Sequence, residues 1–376
     1  MADILQPMEG PLKTFFVNRG KIIIYRLFDV AWEINLSAIE KMDREGAKRL
    51  KFSKYPYMKA LEFANPPISF ELPSFNKVLF NQSLKVNVVA RAYDFGVLSI
   101  AFDLPVPPET SFAELEEVTR ELDIDKSIEV QAREYVNALM ESLGKAVVSP
   151  EIKEDFIEDY MIIYVEELKD GIKAFELMGA YDPTKLLLYE GDELSHFISK
   201  ETLKHGFSYY PEDFIVINID NAFIIEPTGS LDLPDILEFA NAQYVELRYY
   251  DHVIDKELKA IYGELSGRRV SIFRLREYER LLKKITRTIS EITEVTEKVN
   301  NSVKVTEDIY YAKIYRAFMA LLRSRDWEAG TREKLEVVTN AYKMLHDEIS
   351  AKRAYVLEFG IFILIVIELV WLVVGK

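Results

Sequence analysis

Basic side chains crowd one stretch of the chain, residues 268–287 (RRVSIFRLREYERLLKKITR), which we call the basic strip. Only Glu277 and Glu279 oppose its positive charge. Such a cluster suits phosphates, either of RNA or of anionic lipid headgroups, because each neutralised phosphate releases counterions. The alternative is a solvated helix face that pairs with acidic residues elsewhere in the chain. The basic residues are Arg268, Arg269, Arg274, Arg276, Arg280, Lys283, Lys284 and Arg287.

Helical spacing separates these basic residues from the apolar residues of the same stretch. One side of a helix carries Arg269, Arg276, Arg280, Lys283 and Arg287, whereas Ile272, Leu275, Leu282 and Ile289 fall nearer another side. This separation predicts a charged strip on the protein surface.

Nucleophiles and metal ligands are scarce. The chain has no Cys and only four His, which rules out disulfides and thiolate chemistry and nearly excludes multi-histidine metal sites. Glu193 and His196 have the E-x-x-H spacing of one half of a di-metal motif, with both side chains on one helix face. The second half is missing, so we expect a capped loop helix with His196 as a polar side chain. No catalytic, cofactor-binding or metal-ligating residue is predicted, and the protein is expected not to be an enzyme.

The charge of the chain is unevenly distributed. Its 376 residues are 49% hydrophobic and 29% charged, enough to bury a core, and the formal net charge is -15. Residues 1–255 carry 25 basic and 45 acidic side chains, whereas residues 256–376 carry 22 and 17. The two halves are therefore expected to have different partners, and a wholly basic nucleic-acid coat is excluded.

Strand patterns dominate the first 230 residues. A turn at Asp94-Phe95-Gly96 predicts an antiparallel hairpin, because Gly accepts the positive φ that a tight connection needs. Two helices are predicted after it, one over 111–122 with Ser111 and Glu114 as a capping box, and one over 126–147. We predict strands over 21–28, 83–93, 97–104, 160–168, 214–219 and 222–225.

From Asp232 onward the pattern becomes helical, with Pro234 suited to a first turn. Helices are predicted over 271–300 and 306–324, and a last helix is predicted from Thr331 after a turn at 326–330. The fold class is therefore α+β: a mixed, mainly antiparallel sheet domain with helices (1–230), an all-helical hairpin or stalk region (231–353) and a transmembrane helix (354–374).

The last segment, Ala354–Val374, is apolar on every side. Its 21 residues make a helix of roughly 31 Å, which matches a hydrocarbon core of about 30 Å. Glu358 and Glu368 interrupt it, but both lie near an end of the run and can reach the interface. We therefore predict a single-pass, tail-anchored membrane protein.

Two further features concern orientation and assembly. No signal or transit peptide pattern precedes the sheet domain, and Lys343, Lys352 and Arg353 precede the span while Lys376 follows it, which predicts a cytoplasmic N-terminal part. A heptad seam also runs along the last helix into the span. It pairs either within one chain, as an antiparallel hairpin, or between chains. Its residues are Leu335, Val338, Tyr342, Leu345, Ile349, Val356, Phe359, Ile363, Val366, Val370 and Val373.

Three stretches resemble the family named "required for meiotic nuclear division 1", which contains domain of unknown function 155. They are KIIIYRLFDVAWEINL (21–36), SYYPEDFIVINIDNAFI (208–224) with LEFANAQYVELRYYDHVIDKEL (237–258), and LEFGIFILIVIEL (357–369). The order of the segments and the single C-terminal span also fit. The chain lacks a mitochondrial presequence, so a mitochondrial location is not carried over.

The resemblance implies a membrane protein without established enzymatic activity. The mitochondrial members form large homo-oligomers and support translation by holding ribosomes near the membrane. The first hypothesis is therefore a self-associating scaffold that tethers a ribosome or RNA component, with no small-molecule substrate and no cofactor. The alternatives are a structural oligomer that organises the membrane by binding anionic lipid, and a hydrolase with a carboxylate or metal site.

Overall fold

The computed structural model describes most of the chain, and the remaining residues lie outside this description. The described ranges are 14–41, 48–49, 61–63, 65–265, 279–280, 282–283, 285–287, 289–290, 293, 303–305 and 309–374. The chain divides into two compact units. The first unit is Met1–Glu246 with Val299–Ser324, and the second unit is Leu247–Lys298 with Arg325–Lys376. The domain boundaries expected at residues 230 and 353 stay predictions.

Within the described residues, the first unit contains one large sheet and two two-stranded sheets. Its strands are β1 (Phe16–Asp29), β2 (Glu33–Ile34), β3 (Lys48–Arg49), β4 (Leu61–Phe63), β5 (Ile68–Leu79), β6 (Gln82–Ala92), β7 (Val97–Val106), β8 (Thr110–Ser111), β9 (Val147–Val148), β10 (Ile157–Leu168), β11 (Gly206–Phe207), β12 (Phe214–Ile217), β13 (Asn221–Ile225) and β14 (Val303–Val305). Within the described residues, ten strands form one sheet in the order β11-β12-β13-β10-β1-β7-β6-β5-β3, with β8 beside β1. Neighbours are antiparallel except β10 and β13, which are parallel.

Helices are interspersed with the strands and predominate in the later part of the chain. They are α1 (Leu36–Lys41), α2 (Phe112–Asp123), α3 (Lys126–Leu143), α4 (Ala174–Met178), α5 (Thr184–Leu188), α6 (His196–Thr202), α7 (Asp232–Leu265), α8 (Ile309–Leu321) and α9 (Ser324–Val374). A mainly antiparallel sheet domain, then helices, then a long apolar helix confirms the predicted α+β class.

Local signals in the sequence located several of these elements. Ser111 caps α2, and its backbone N–H donates to Glu114, so the capping box is confirmed. The predicted hairpin joins β6 to β7. Gly96 has a φ of 101°, and a Cβ there would lie 2.0 Å from the carbonyl oxygen of Ala31, so only glycine fits this turn. Helix α3 ends at Leu143 rather than at 147, because Gly144 takes a positive φ.

Two predictions about connections were wrong. The last helix begins at Ser324 and not at Thr331, because Arg323 takes a left-handed conformation (φ 53°) and makes the turn itself. Gly330 lies inside the helix, where glycine costs about 1 kcal/mol. The helix expected over 306–324 is α8, and most of the helix expected over 271–300 lies outside the described residues.

One face of the sheet packs against α2 and α3. Their apolar sides join the even-numbered apolar residues of β1 in a continuous buried core. Leu115 and Val136 come from the helices, and Ile22 and Ile24 from the strand. The period of the helices and the alternation of the strand place these side chains on facing surfaces.

The other face packs against α8 and the first part of α7. The Phe239 ring on α7 lies 5.9 Å from Tyr93 and 6.3 Å from Phe95, and Phe318 on α8 lies 5.1 Å from Tyr160, centroid to centroid. The sheet is therefore the middle layer of the first unit, with helices on both sides.

Charges are buried where α7 meets the sheet. Arg91 on β6 forms ion pairs with Asp235, at 2.8 Å, and with Glu238, whose side chain is fully buried. Burial raises the pKa of Asp235, and the nearby Arg91 opposes this rise. Burial lowers the pKa of Arg91, but Asp235, Tyr25 and Tyr93 together raise this pKa by more, so it lies above its ordinary value.

We expect Arg91→Met to lower the free energy of unfolding by about 3–5 kcal/mol, because it leaves two carboxylates buried without their cation. Replacing all three charges with apolar residues, Arg91→Met with Asp235→Leu and Glu238→Met, should cost less than the single change. Urea denaturation followed by circular dichroism measures both. The matched control is Lys85→Met, an exposed position on the same strand. Equal losses for the single and triple variants would contradict the ion-pair explanation.

Candidate functional site

The apolar C-terminal segment lies at the end of a continuous helix. Helix α9 has 51 residues, a length of about 77 Å. The stretch Ala329–Leu372 contains the one helix, among the described residues, that is long and apolar enough to cross a membrane. Its apolar window has no buried residue. The predicted segment 354–374 therefore exists as an exposed apolar helix, by length and composition suited to a bilayer.

The earlier part of α9 is packed inside the second unit. Val338 and Ile349, two members of the heptad seam, are buried within the single chain. Lys334 donates to Asp251 of α7 at 2.7 Å and pairs with Asp255 at 2.8 Å. Val338 and Ile349 therefore pack within the same chain, and the pairing of the seam as a whole stays a prediction.

The later part of α9 presents its side chains outward. Phe359, Phe362 and Trp371 are 64%, 61% and 81% exposed. Glu358 and Glu368 are exposed on the same helix. Apolar residues flank both glutamates, so an apolar phase that covers the run brings both carboxylates to its edge or inside it.

The basic strip is described in part. Arg280, Lys283 and Arg287 are helical and exposed. Leu282 and Ile285 are buried, at 8% and 1% exposure. At about 100° per residue these two lie nearly opposite the three basic residues, so the predicted separation of charge from the apolar side holds here. Arg268, Arg269, Arg274, Arg276 and Lys284 lie outside the described residues.

An ion pair connects the strip with the start of the apolar segment. Glu279 pairs with Arg353, which directly precedes Ala354. Arg280 is the next residue after Glu279, and Lys283 lies one turn further along. The sequence could not indicate this contact, because the two partners are 74 residues apart and each alone looks like a surface charge.

The structure does not place Glu193 and His196 as the metal half-motif requires. Ser195 caps α6 and its side chain accepts from the Ile198 N–H, so the helix begins at His196. Glu193 precedes the cap and does not share a helix face with His196, which corrects that expectation. The capped loop helix itself is confirmed. In the part of the chain that the structure describes, no three His, Asp or Glu side chains are grouped to hold a metal ion.

Carboxylates do approach one another at one end of the sheet. Burial raises the pKa of Asp123, with Asp159 adding to the rise. Burial likewise raises the pKa of Asp220, again with Asp159 contributing. Arg26 lies 3.5 Å from Asp159 and balances part of this charge. These acids lie at strand and helix ends, and within the described residues they are not grouped to hold a metal ion.

The fold and this segment together define an α+β protein with one apolar C-terminal helix able to cross a membrane. The chain belongs to the family described as "Uncharacterized protein MJ0711, N-terminal domain", whose model matches residues 19–231. It is 24% identical over 216 residues to the "Uncharacterized protein MJ0711" of Methanocaldococcus jannaschii, an alignment that covers 57% of this chain and 66% of that protein. The match thus spans just under two thirds of the relative. No solved structure matches the chain.

The family match concerns the sheet domain. It begins inside β1 and ends before α7, so the second unit and the apolar helix lie beyond it. It names no activity and no link to the meiotic nuclear division family, whose resemblance stays a prediction.

Proposed function

We propose that this protein is a non-enzymatic scaffold that is anchored in a membrane by a single C-terminal span. The observation that carries the proposal is the exposed apolar end of α9, which continues without interruption from a packed helix. Exposing this apolar surface to water is unfavourable. In a bilayer the surface is buried, and the helix is long enough to cross the hydrocarbon core. The basic residues Lys343, Lys352 and Arg353 before the span favour a cytoplasmic first unit.

The proposed role of the scaffold is to tether a component of translation, a ribosome or RNA, to the membrane. Support comes from the resemblance to the meiotic nuclear division family and from the positive charge of the basic strip.

Self-association is part of the same proposal. The seam continues into the span, and its side chains from Val356 to Val370 are exposed in the single chain. Glu358 and Glu368 lie beside this seam. An ionised carboxylate inside the hydrocarbon is costly, so pairing of these glutamates across subunits would lower the cost of inserting them.

The first test is resistance of the membrane fraction to carbonate washing. We expect the full chain to remain in the pellet and a variant with Ile363→Arg and Ile367→Arg to be released, because each arginine at the centre of a span costs about 2.5–3.5 kcal/mol. The matched control carries Val337→Arg and Met344→Arg, exposed apolar positions on the same helix before the span. Release of the unmodified chain by carbonate would refute the anchor.

The second test concerns the two glutamates. In mild detergent the full-length protein should form a complex larger than one chain, and Glu358→Gln with Glu368→Gln should reduce its size. Light scattering coupled to gel filtration measures the mass. Asp347→Asn with Glu348→Gln, exposed acids just before the span, is the control. An unchanged mass in the glutamate variant would count against pairing through these residues.

The third test concerns the tethered partner. Full-length protein extracted from membranes should carry ribosomal RNA and ribosomal proteins, detected by RNA sequencing and mass spectrometry. An unrelated tail-anchored protein extracted in parallel is the control for nonspecific recovery. No enrichment over that control would refute the tether and leave the anchor standing.

A further inference from the structure

We propose that Arg280 and Lys283 form a binding site for the headgroups of anionic phospholipids at the point where α9 enters the membrane. This inference rests on the proposed membrane anchor and names a ligand for the described part of the basic strip. The shared chemistry is a phosphate group with a negative charge, presented in this case by the bilayer surface itself.

One ion pair determines how far the site lies from the start of the apolar run. Glu279 contacts Arg353, and the apolar run begins at the next residue, Ala354. Arg280 and Lys283 follow Glu279 by one and four residues, which at 1.5 Å per residue is at most about 6 Å along the helix. Both basic residues therefore lie near the level at which the hydrocarbon-matched segment starts.

The burial of neighbouring residues determines which side of the helix the site occupies. Leu282 and Ile285 hold the inner side of this helix, at 8% and 1% exposure. Arg280 and Lys283 are exposed and project away from that inner side. Their long side chains can extend to a headgroup plane while their aliphatic stems stay on the helix.

The local charge favours an anion. Arg353 and Glu279 neutralise each other, so Arg280 and Lys283 remain as exposed positive charge beside them. On α9 the exposed acids nearest to Arg353 are Asp347 and Glu348 before it and Glu358 after it, each five or six residues away. The bilayer surface potential decays over a Debye length of about 8–10 Å, and the two basic residues fall within that distance of the start of the apolar run.

The same positive charges also suit the phosphates of RNA, but the position of Arg280 and Lys283 favours lipid. A lipid phosphate is present at that level whenever the span is inserted, whereas an RNA must approach a surface of like charge there. Lipid is therefore the ligand that the geometry supports, and RNA is an outcome that the experiment can detect.

The test uses the full-length protein in mild detergent, exchanged with phosphatidylcholine and phosphatidylglycerol in a 3:1 mixture. Native mass spectrometry counts the lipids retained per chain. We expect Arg280→Gln with Lys283→Gln to retain at least threefold less phosphatidylglycerol than the unmodified chain, with phosphatidylcholine unchanged. Raising the salt concentration should reduce phosphatidylglycerol retention in the unmodified chain.

Matched controls separate this site from general charge. Lys145→Gln with Lys200→Gln removes two exposed lysines of the first unit and should leave lipid retention unchanged. Glutamine is a good helix former, and circular dichroism verifies that helix content is preserved. Equal phosphatidylglycerol retention by the Arg280/Lys283 variant and the unmodified chain would overturn the proposal. So would RNA that co-purifies with the unmodified chain and is lost from the variant while lipid retention stays the same.

The outcomes for the anchor and for the headgroup site are distinguishable. A chain that carbonate washes from membranes refutes the anchor and with it the position of the site at the membrane entry; a selective loss of phosphatidylglycerol in its variant then keeps only the affinity of Arg280 and Lys283 for anionic headgroups. A chain that resists carbonate, and whose variant retains phosphatidylglycerol in full, keeps the anchor and refutes the site.

Discussion

The buried contact of Arg91 with Asp235 and Glu238 is the interaction on which the rest of the structure depends. It fixes the first part of α7 on the sheet, and α7 is the helix that leaves the first unit and enters the second. Burying three charges is unfavourable compared with burying three apolar side chains. What the ion pairs contribute is a unique position, because a slip of the helix by one residue would separate the carboxylates from the guanidinium.

Locally encoded features of the fold were predictable, and features encoded at a distance were not. The Ser111 cap and the Gly96 turn are read from three or four neighbouring residues. Strand β5 was missed because Pro73 interrupts its pattern and its connection to β6 uses Phe80 and Asn81, both at positive φ, without the glycine that signals a tight turn. The parallel pairing of β10 with β13 depends on contacts that no single segment encodes.

The candidate site shows the same division. The apolar segment and the charge of the basic strip are compositional and were visible at once. The contact between Glu279 and Arg353 required the structure, because it joins residues on different helices. The E-x-x-H spacing was misleading because spacing places two side chains on one face only if both belong to the helix, and the cap at Ser195 begins α6 after Glu193.

The continuity of α9 also has a mechanical consequence. No proline interrupts the helix, so its packed part and its apolar part form one continuous helix and tilt together. Spans adjust to bilayer thickness by tilting, on average by about 20°. The 28 steps from Arg325 to Arg353 make an arm of about 42 Å, and a tilt of about 20° would swing its far end sideways by about 14 Å. If the apolar part of α9 spans a membrane as proposed, a change in membrane thickness would therefore be felt as a sideways movement of the packed part of the same helix.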